Sequence, residues 1–464
     1  MAASAEFIEN RTYDEIQAGD SSILTRTLRP EDIQLFAIMS GDVNPAHVDP
    51  EYAGSSMFHE VIAHGMWGGA LISTVLGTEF PGPGTIYIGQ TLKFSRPVKV
   101  GDTLTVKITC KQKFDHNKHM LFDCLCTNQD GLKVISGEAE VLAPTEKIKR
   151  ARVELPEFTI SDRWGRYQKL IGRAKGLPTL TALFAHPTHA ETLQSAATVR
   201  DSGIMRPVLV GPEKAIRELA AASGVNLAGC RIVDAPHGRA ALAHAIDMAK
   251  SGEGEILVQG GAPTHEFLIP VIEGLRTERR LSHVLYIDVP SYPRPFIISD
   301  MMVNIEPTLA DKVDIVKNAI DFAHIMGVPE PKVAILAGID ILTPKMRATL
   351  DAAVLCKMAD RGQITGAVLD GPLGFDNAVS IVAARGAHLK SAVAGQADIL
   401  IAPDLESGNM LAKQLEHMSD AVSGGVVLGG SVPIVLANRN DPIENRVASL
   451  VLSLLVANHQ RSQR

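Results

Sequence analysis

The sequence predicts an α+β domain followed by an α/β domain with largely parallel sheets, because the pattern of apolar and polar residues changes partway along the chain. Up to about Pro144, segments rich in Thr, Val and Ile alternate around one long apolar segment, which is typical of an antiparallel sheet packed on a helix. From about Thr181, short apolar segments ending in Gly or Pro alternate with helical stretches such as "RAALAHAIDMAKSG", which is typical of a parallel α/β sheet. The length of 464 residues fits two or three domains of roughly 100–200 residues each.

The elements of the first domain follow in order along the chain. "SSILTRTLRP" predicts a strand, and "EVIAHGMWGGALISTVLG" predicts a buried helix whose small residues let a sheet approach closely. The stretch from "TIYIGQ" to "VLAP" predicts further strands that break at "VGD" and "QDG". We therefore predict a domain at residues 1–148 in which the sheet wraps the helix.

The remainder of the chain divides into a connector and a second domain. "TEKIKRARVELPEFTISDRWGRYQ" is charged and weakly periodic, so we predict a linker at residues 149–172. Strands are predicted at "RPVLVGP", "GEILVQGGAP", "HVLYIDVP", "KVAILAG", "ADILIAPD" and "PIVLANR", which places the α/β domain at residues 173–464.

Composition excludes several classes of protein. The net charge of −7 argues against nucleic acid as a partner, since nucleic-acid binders usually present a basic face. No apolar run reaches the ~20 residues that span a bilayer, and the first residues lack the pattern of a signal peptide, so no membrane association is expected. Five scattered cysteines indicate a reduced, cytoplasmic protein. Cys124 and Cys126 are predicted to pack on one face of a strand, and no metal site is predicted.

The stretch "SGDVNPAHVDPEYA" carries the first candidate site. Asp42 and His47 lie five residues apart around a turn at Asn44 and Pro45. The stretch is compatible with a structural loop whose polar side chains bond to the backbone, and equally with a carboxylate and an imidazole that activate water. Gly65 near the start of the predicted buried helix supplies an unpaired amide suited to an oxyanion. The role of the neighbouring His64 is left open.

These residues carry a family resemblance. "FAIMSGDVNPAHVDPEYA" followed by "VIAHGM" resembles the signature of the MaoC-like, (R)-specific enoyl-CoA hydratases. The resemblance covers roughly residues 10–144 and implies a hot-dog fold. It implies that Asp42 and His47 are catalytic and that Gly65 supplies the oxyanion amide. We predict that Asn44 is a substrate-binding residue that shapes the loop and does not react.

The α/β half contains two further places suited to chemistry. "LVQGGAPTHEF" reads as a strand, a glycine turn and a helix, so Gly260, Gly261 and Thr264 are predicted to form an anion-binding nest. In "VLANRNDP", Arg439 follows a buried strand and could contact a phosphate or thioester oxygen. A surface ion pair between Arg439 and Asp441 or Glu444 is an equally weighted alternative.

A second resemblance covers roughly residues 175–460. "DGPLGFDNAVS", "AGQADILIAPDLESGNMLAKQL" and "GGSVPIVLANR" resemble the phosphate acetyl/butyryltransferase family, with the butyryl branch slightly nearer. The resemblance implies a fold with two subdomains and acyl transfer between the sulfur of CoA and phosphate. It assigns the family arginine to Arg439 and a substrate-binding position to Asn438, where the family usually has serine. It leaves the thiol base as Asp441 or Glu444, and the chain has Ile269 where an arginine is often found.

Together these observations predict a bifunctional acyl-CoA enzyme, a hydratase in its first half and an acyltransferase in its second. The substrates are CoA thioesters and phosphate, no cofactor is tightly bound, and a homo-oligomer, dimer or larger, is expected. One alternative keeps an active hydratase beside a degenerate C-terminal module for acyl-CoA binding or oligomerisation. A third reading, a metal-dependent hydroxyacid dehydrogenase, lacks an acidic metal cluster in the sequence.

Overall fold

The chain folds as two compact units, Met1–Ile160 and Ser161–Arg464. The computed structural model describes residues 7–153, 162–437 and 440–463. We call the two parts the first unit and the second unit.

The first unit combines an antiparallel sheet with one buried helix and three short surface helices. Its strands are β1 Phe7–Glu9, β2 Ser21–Thr27, β3 Ile86–Phe94, β4 Thr103–Phe114, β5 His119–Thr127, β6 Lys133–Leu142 and β7 Lys149–Ala151. Its α-helices are α1 Pro30–Ser40, α2 Pro45–Val48, α3 Pro50–Ser55 and α4 Gly65–Thr74. A 3-10 turn, Tyr13–Glu15, precedes β2, and a π-helical turn, Val75–Glu79, follows α4.

The predicted hot-dog arrangement is confirmed in the first unit. Within the described residues, five antiparallel strands lie in the order β2-β4-β5-β6-β3, and the apolar side chains of α4 share one core with them. A side chain at Gly68 would place its Cβ 2.3 Å from Cδ1 of Ile135, so glycine lets this helix pack against the sheet without displacing Ile135. Cys124 and Cys126 are both buried on the inner face of β5, and the prediction that they pack as small apolar residues is confirmed.

The second unit alternates strands and helices. Its strands are β8 Leu180–Ala185, β9 Met205–Gly211, β10 Arg231–Asp234, β11 Ile256–Gln259, β12 Ser282–Asp288, β13 Phe296–Ser299, β14 Lys332–Leu336, β15 Val368–Leu373, β16 Ile399–Ile401, β17 Val422–Leu428 and β18 Ile434–Val435. Its helices are α5 Arg163–Gly172, α6 Ala190–Asp201, α7 Glu213–Ser223, α8 Gly238–Ser251, α9 Thr264–Leu275, α10 Leu309–Ile325, α11 Arg347–Asp360, α12 Phe375–Val379, α13 Ile381–Gly386, α14 Leu405–Met418 and α15 Ile443–Gln463.

A single, mostly parallel sheet runs through the described part of the second unit, in the order β10-β9-β8-β11-β18-β17-β12-β13-β16-β14-β15. The pairings of β17 with β18, β17 with β12 and β12 with β13 are antiparallel. Most of α15 is buried against this sheet. No helix in the described ranges is both long and apolar enough to cross a membrane.

The C-terminal part of the predicted linker is a helix of the second unit. Residues 163–172 form α5, in which Tyr167 and Leu170 are buried in the same core as α15. Arg166 on this helix also forms an ion pair with Asp288 of β12. The sequence reading missed this helix because its apolar positions are spaced three and four apart among many charges, a pattern that buries only one narrow face.

Candidate functional site

The loop that carries Asp42 is built by helix caps. Oδ1 of Asn44 accepts a hydrogen bond from the amide of Ala46 at 3.1 Å and caps α2, while Asp49 caps α3. Oδ1 of Asp42 accepts from the amide of Asn44 at 3.1 Å. Because prolines occupy the first turns of α2 and α3, where their fixed φ suits a helix start, the local sequence holds this loop in one shape.

Two histidines approach Asp42, and backbone carbonyls fix their tautomers. Nδ1 of His47 lies 2.9 Å from the carbonyl oxygen of Ile62, so Nδ1 carries the proton and Nε2 carries the lone pair. Nε2 of His64 lies 3.0 Å from the carbonyl oxygen of Asp42, so this buried ring donates and holds the backbone of the loop. The ring centroids of His47 and His64 are 4.1 Å apart.

The three side chains form one cluster beside a cavity. Ligand-type atoms of Asp42, His47 and His64 all lie within 4.8 Å of one another. A cavity of about 310 Å³ is lined by His47, His64, Gly65 and Phe94, among others. Gly65 is the first residue of α4 and follows the N-cap residue His64, so its amide has no acceptor within the helix.

This arrangement brings a carboxylate, an imidazole and the amide at the start of a helix close together. The structure brings Asp42 and His47 together and places His47 and Gly65 on one cavity, while the side chain of Asn44 is used as a helix cap. Oδ1 of Asp49 accepts from the amides of Glu51 and Tyr52 at the start of α3. The sequence left the role of His64 open. In the structure its ring positions Asp42 by a hydrogen bond to the backbone carbonyl of Asp42. The His64–Gly65 pair at the start of α4 was the sequence signal for this part of the site. The contact of His64 with Asp42 could not be predicted, because it depends on tertiary structure.

The glycine turn of the second unit follows β11. Gly260, Gly261 and Thr264 line a cavity of about 170 Å³. A Cβ at Gly260 would lie 2.3 Å from the carbonyl oxygen of His186, so the turn requires glycine there. The amide of Gly261 donates to the same oxygen at 2.7 Å. The predicted nest is therefore smaller than expected, because one of its amides is already used.

Gln259 braces this turn, and the sequence reading did not single it out. Its side chain is buried. Nε2 donates to the carbonyl of Ala262 at 2.8 Å and to Oγ1 of Thr264 at 3.3 Å. Oε1 accepts from the amide of Ala437 at 3.1 Å. One amide side chain thus ties the glycine turn to the segment that follows β18.

The expected arginine and its neighbours lie at the end of that segment. Asn438 and Arg439 fall outside the described residues, so their roles stay predictions. Oδ1 of Asp441 lies 3.7 Å from Nζ of Lys413, and its backbone carbonyl accepts from Nε of Arg446 at 3.2 Å. Arg446 lines the cavity with the glycine turn.

Glu444 has a different neighbour. Burial, and after it the charge of Glu444, raises the pKa of Tyr167 on α5, which places this carboxylate near α5. The choice between Asp441 and Glu444 as thiol base therefore stays a prediction.

Comparison with known proteins identifies both halves. A family described as MaoC like domain matches residues 15–123. A family described as phosphate acetyl/butaryl transferase matches residues 237–454. The R-hydratase PhaJ1 from Pseudomonas aeruginosa, in its unliganded form, is 45% identical, and the match covers 33% of this chain and 99% of that chain with a TM-score of 0.32.

Two curated relatives align with the second half. A phosphate acetyltransferase of Rickettsia prowazekii is 45% identical over 298 residues, which is 63% of this chain and 85% of that protein. A phosphate butyryltransferase of Clostridium beijerinckii is 35% identical over 294 residues, which is 63% of this chain and 97% of that protein. Of these two, the acetyltransferase is the more similar, contrary to the expectation that the butyryl branch is nearer.

Proposed function

This chain belongs to the phosphate acetyl/butyryltransferase family and carries a MaoC-like domain, and we propose that it is a bifunctional acyl-CoA enzyme. The first unit hydrates trans-2-enoyl-CoA to (R)-3-hydroxyacyl-CoA. The second unit moves an acyl group reversibly between CoA and phosphate. The names of the relatives support both activities.

The hydration step uses the cluster around Asp42. Nε2 of His47 accepts a proton from a water while the carboxylate of Asp42 orients that water and stabilises the imidazolium. The water oxygen bonds to C3 of the enoyl thioester, and the electron pair of the double bond moves to the thioester oxygen. The amide of Gly65 stabilises this enolate. Return of the proton from His47 to C2 completes the addition of one water.

The observation that carries this half is the tautomer of His47, whose Nδ1 faces the carbonyl of Ile62 at 2.9 Å. It leaves Nε2 as the proton acceptor of the ring, and a ring nitrogen of His47 lies within 4.8 Å of a carboxylate oxygen of Asp42. The test is hydration of crotonyl-CoA by the full chain, with the stereochemistry of the 3-hydroxybutyryl product read by chiral chromatography. Absence of hydration, or formation of the (S) product, would contradict the proposal.

The transfer step needs an anion cradle, a cation at the reacting centre and a base. Gly260, Gly261 and Thr264 on the cavity after β11 support the cradle. Family resemblance supports Arg439 at the acyl phosphate and Asn438 as a substrate-binding residue, and it leaves Asp441 or Glu444 as the base. Oxygen of phosphate attacks the thioester carbonyl, the carbon–sulfur bond breaks, and the CoA thiolate leaves and takes up a proton.

The alternative, a C-terminal module that binds acyl-CoA without transfer, is favoured by Asn438 and Ile269. The two readings differ in one assay, the release of free CoA from acetyl-CoA or butyryl-CoA when phosphate is added. Release that depends on phosphate supports the transferase. Binding of CoA without release from any short acyl-CoA supports the module.

We also propose a homo-oligomer that works in the reducing cytoplasm with no tightly bound cofactor. All five cysteines are free thiols. The edge strand β3 exposes Ile86, Ile88 and Phe94, and an apolar sheet edge of this kind is usually covered by a partner. Light scattering on the full chain tests the assembly, and a monomer at micromolar concentration would contradict it.

A further inference from the structure

The small cavity of the second unit lies where the sheet reverses its order. From β8 the chain adds β9 and β10 outward on one side, and it then crosses to add β11 on the other side of β8. In open α/β sheets, ligands bind outside the carboxyl ends of strands at such a reversal. The cavity is lined from both turns, by His189 after β8 and by Gly260 to Thr264 after β11.

Two buried polar side chains that the transfer step has not used face this cavity. Thr192 on α6 is 1% exposed, and its Oγ1 has no hydrogen-bond partner among the described residues. Arg446 on α15 is 7% exposed, and it lines the same cavity. A buried hydroxyl without a partner destabilises the fold, so its presence on a cavity points to a ligand that completes its bonding.

The charge of the cavity selects the ligand. The guanidinium of Arg446 is always protonated, and α6 and α9 both begin at the cavity, where their first amides favour anions. The first-turn carboxylates Glu191 and Glu266 are exposed and are not among its lining residues. Its volume of about 170 Å³ lies well below the roughly 300–1,000 Å³ of sites for drug-sized ligands. The site therefore fits a small anion rather than a whole coenzyme.

We infer that Thr192 and Arg446 bind the phosphoryl oxygens of inorganic phosphate and of the acyl phosphate product. Thr192 donates its hydroxyl proton to one oxygen, and Arg446 donates N–H groups to the others. The inference rests on the proposed transferase function, and it adds these two residues to the glycine turn, in which the amide of Gly261 is already bonded to the carbonyl of His186.

The sharpest variant is Thr192→Val, which keeps the shape of the side chain and removes its hydroxyl. Because the hydroxyl has no partner among the described residues, we expect the melting temperature without phosphate to stay unchanged or rise. The affinity for inorganic phosphate should fall roughly 10–100-fold, the worth of one hydrogen bond to a charged group. Thr192→Ser should restore most of the affinity. The control Thr198→Val removes an exposed hydroxyl on the same helix that donates to Gln194, and it should change neither quantity.

Arg446 is tested in parallel by Arg446→Lys and Arg446→Met. Lysine keeps the charge and loses the planar fork, so phosphate affinity should fall in the order wild type, Lys, Met. The KM for acetyl-CoA should change much less than the KM for phosphate, which a purely structural role would not produce.

Titration calorimetry with inorganic phosphate on the full chain separates this inference from the proposed function. If wild type releases CoA with phosphate but Thr192→Val and Arg446→Lys bind phosphate like wild type, the inference is wrong and the transferase stands. If wild type releases no CoA yet binds phosphate, and Thr192→Val weakens that binding, the anion site stands and the transferase fails. If calorimetry detects no phosphate binding to wild type, and the rate of CoA release does not saturate as the phosphate concentration rises, the site is refuted.

Discussion

A double-mutant cycle on Asp42 and His47 tests whether the two side chains act on one water. Asp42→Asn keeps an oxygen that can accept from the amide of Asn44, as Oδ1 of Asp42 does at 3.1 Å. His47→Gln keeps a donor for the carbonyl of Ile62, which Nδ1 of His47 now meets at 2.9 Å. Both changes therefore preserve the loop and remove only the charge or the base.

The size of the effect follows from the shared water. Loss of a general base lowers kcat by about 10²–10⁴, which is roughly 3–5 kcal/mol at 1.36 kcal/mol per tenfold. Since Asp42 and His47 lie within 4.8 Å of each other and act on one water, the second substitution should lower kcat little further once the first has been made. The double variant should be about as slow as the slower single variant, so the interaction energy should nearly equal the smaller single loss.

The assay follows the loss of enoyl thioester absorbance when crotonyl-CoA is hydrated, at saturating substrate and over a range of pH. CoA release by the second unit, measured on the same preparations, is the internal control for folding and concentration. If the activation free-energy losses of the two single variants, calculated from kcat, add fully in the double variant, the two side chains do not act on one shared water. A near wild-type rate for Asp42→Asn would show that the loop around Asp42 has only a structural role.

Four further predictions concern other parts of the chain. A fragment of residues 1–160 should fold and hydrate crotonyl-CoA alone, since these residues form one compact unit; insolubility of several fragments with nearby end points would contradict this. Gly260→Ala should abolish phosphate-dependent CoA release and spare hydration, because its Cβ would lie 2.3 Å from a backbone oxygen; paired assays on one preparation decide. Burial raises the pKa of the Cys124 and Cys126 thiols to about 12, and reactivity requires the thiolate, so mass spectrometry should find both unmodified by iodoacetamide at pH 8 until the chain unfolds. Burial, with the charge of Lys413 adding to it, lowers the pKa of His283 to about 3. Between an unfolded value near 6.5 and about 3, only the unfolded state takes up this proton, so the free energy of unfolding should fall as pH drops through this window. Calorimetry should show that the free energy of unfolding of His283→Gln depends less on pH in this window.

The sequence predicted the parts of each site that are local and missed those that depend on distant contacts. The Asp42 loop could be read because prolines and capping side chains act within a few residues. The glycine turn could be read for the same reason. Gln259 could not be singled out, since its importance comes from the amide of Ala437, 178 residues further along the chain.

Buried polar groups were the hardest features to foresee. Thr192 is an ordinary helix residue in sequence, and only the structure shows that its hydroxyl is buried without a partner in the described part of the chain. Arg446 gave a weak signal as a basic residue in the first turns of a largely apolar helix. The helix α5 was missed because the charges around Tyr167 and Leu170 conceal a narrow apolar face.

The position of β17 and β18 in the sheet has a consequence for synthesis and truncation. These strands come late in the chain, yet they lie between β11 and β12 and connect the two ends of the sheet. While the ribosome is still making residues after 420, β11 and β12 each expose an unpaired edge, which can pair with another chain. A stop codon shortly before β17 would therefore divide the sheet at its centre, and we expect such a product to aggregate rather than to lose a dispensable tail.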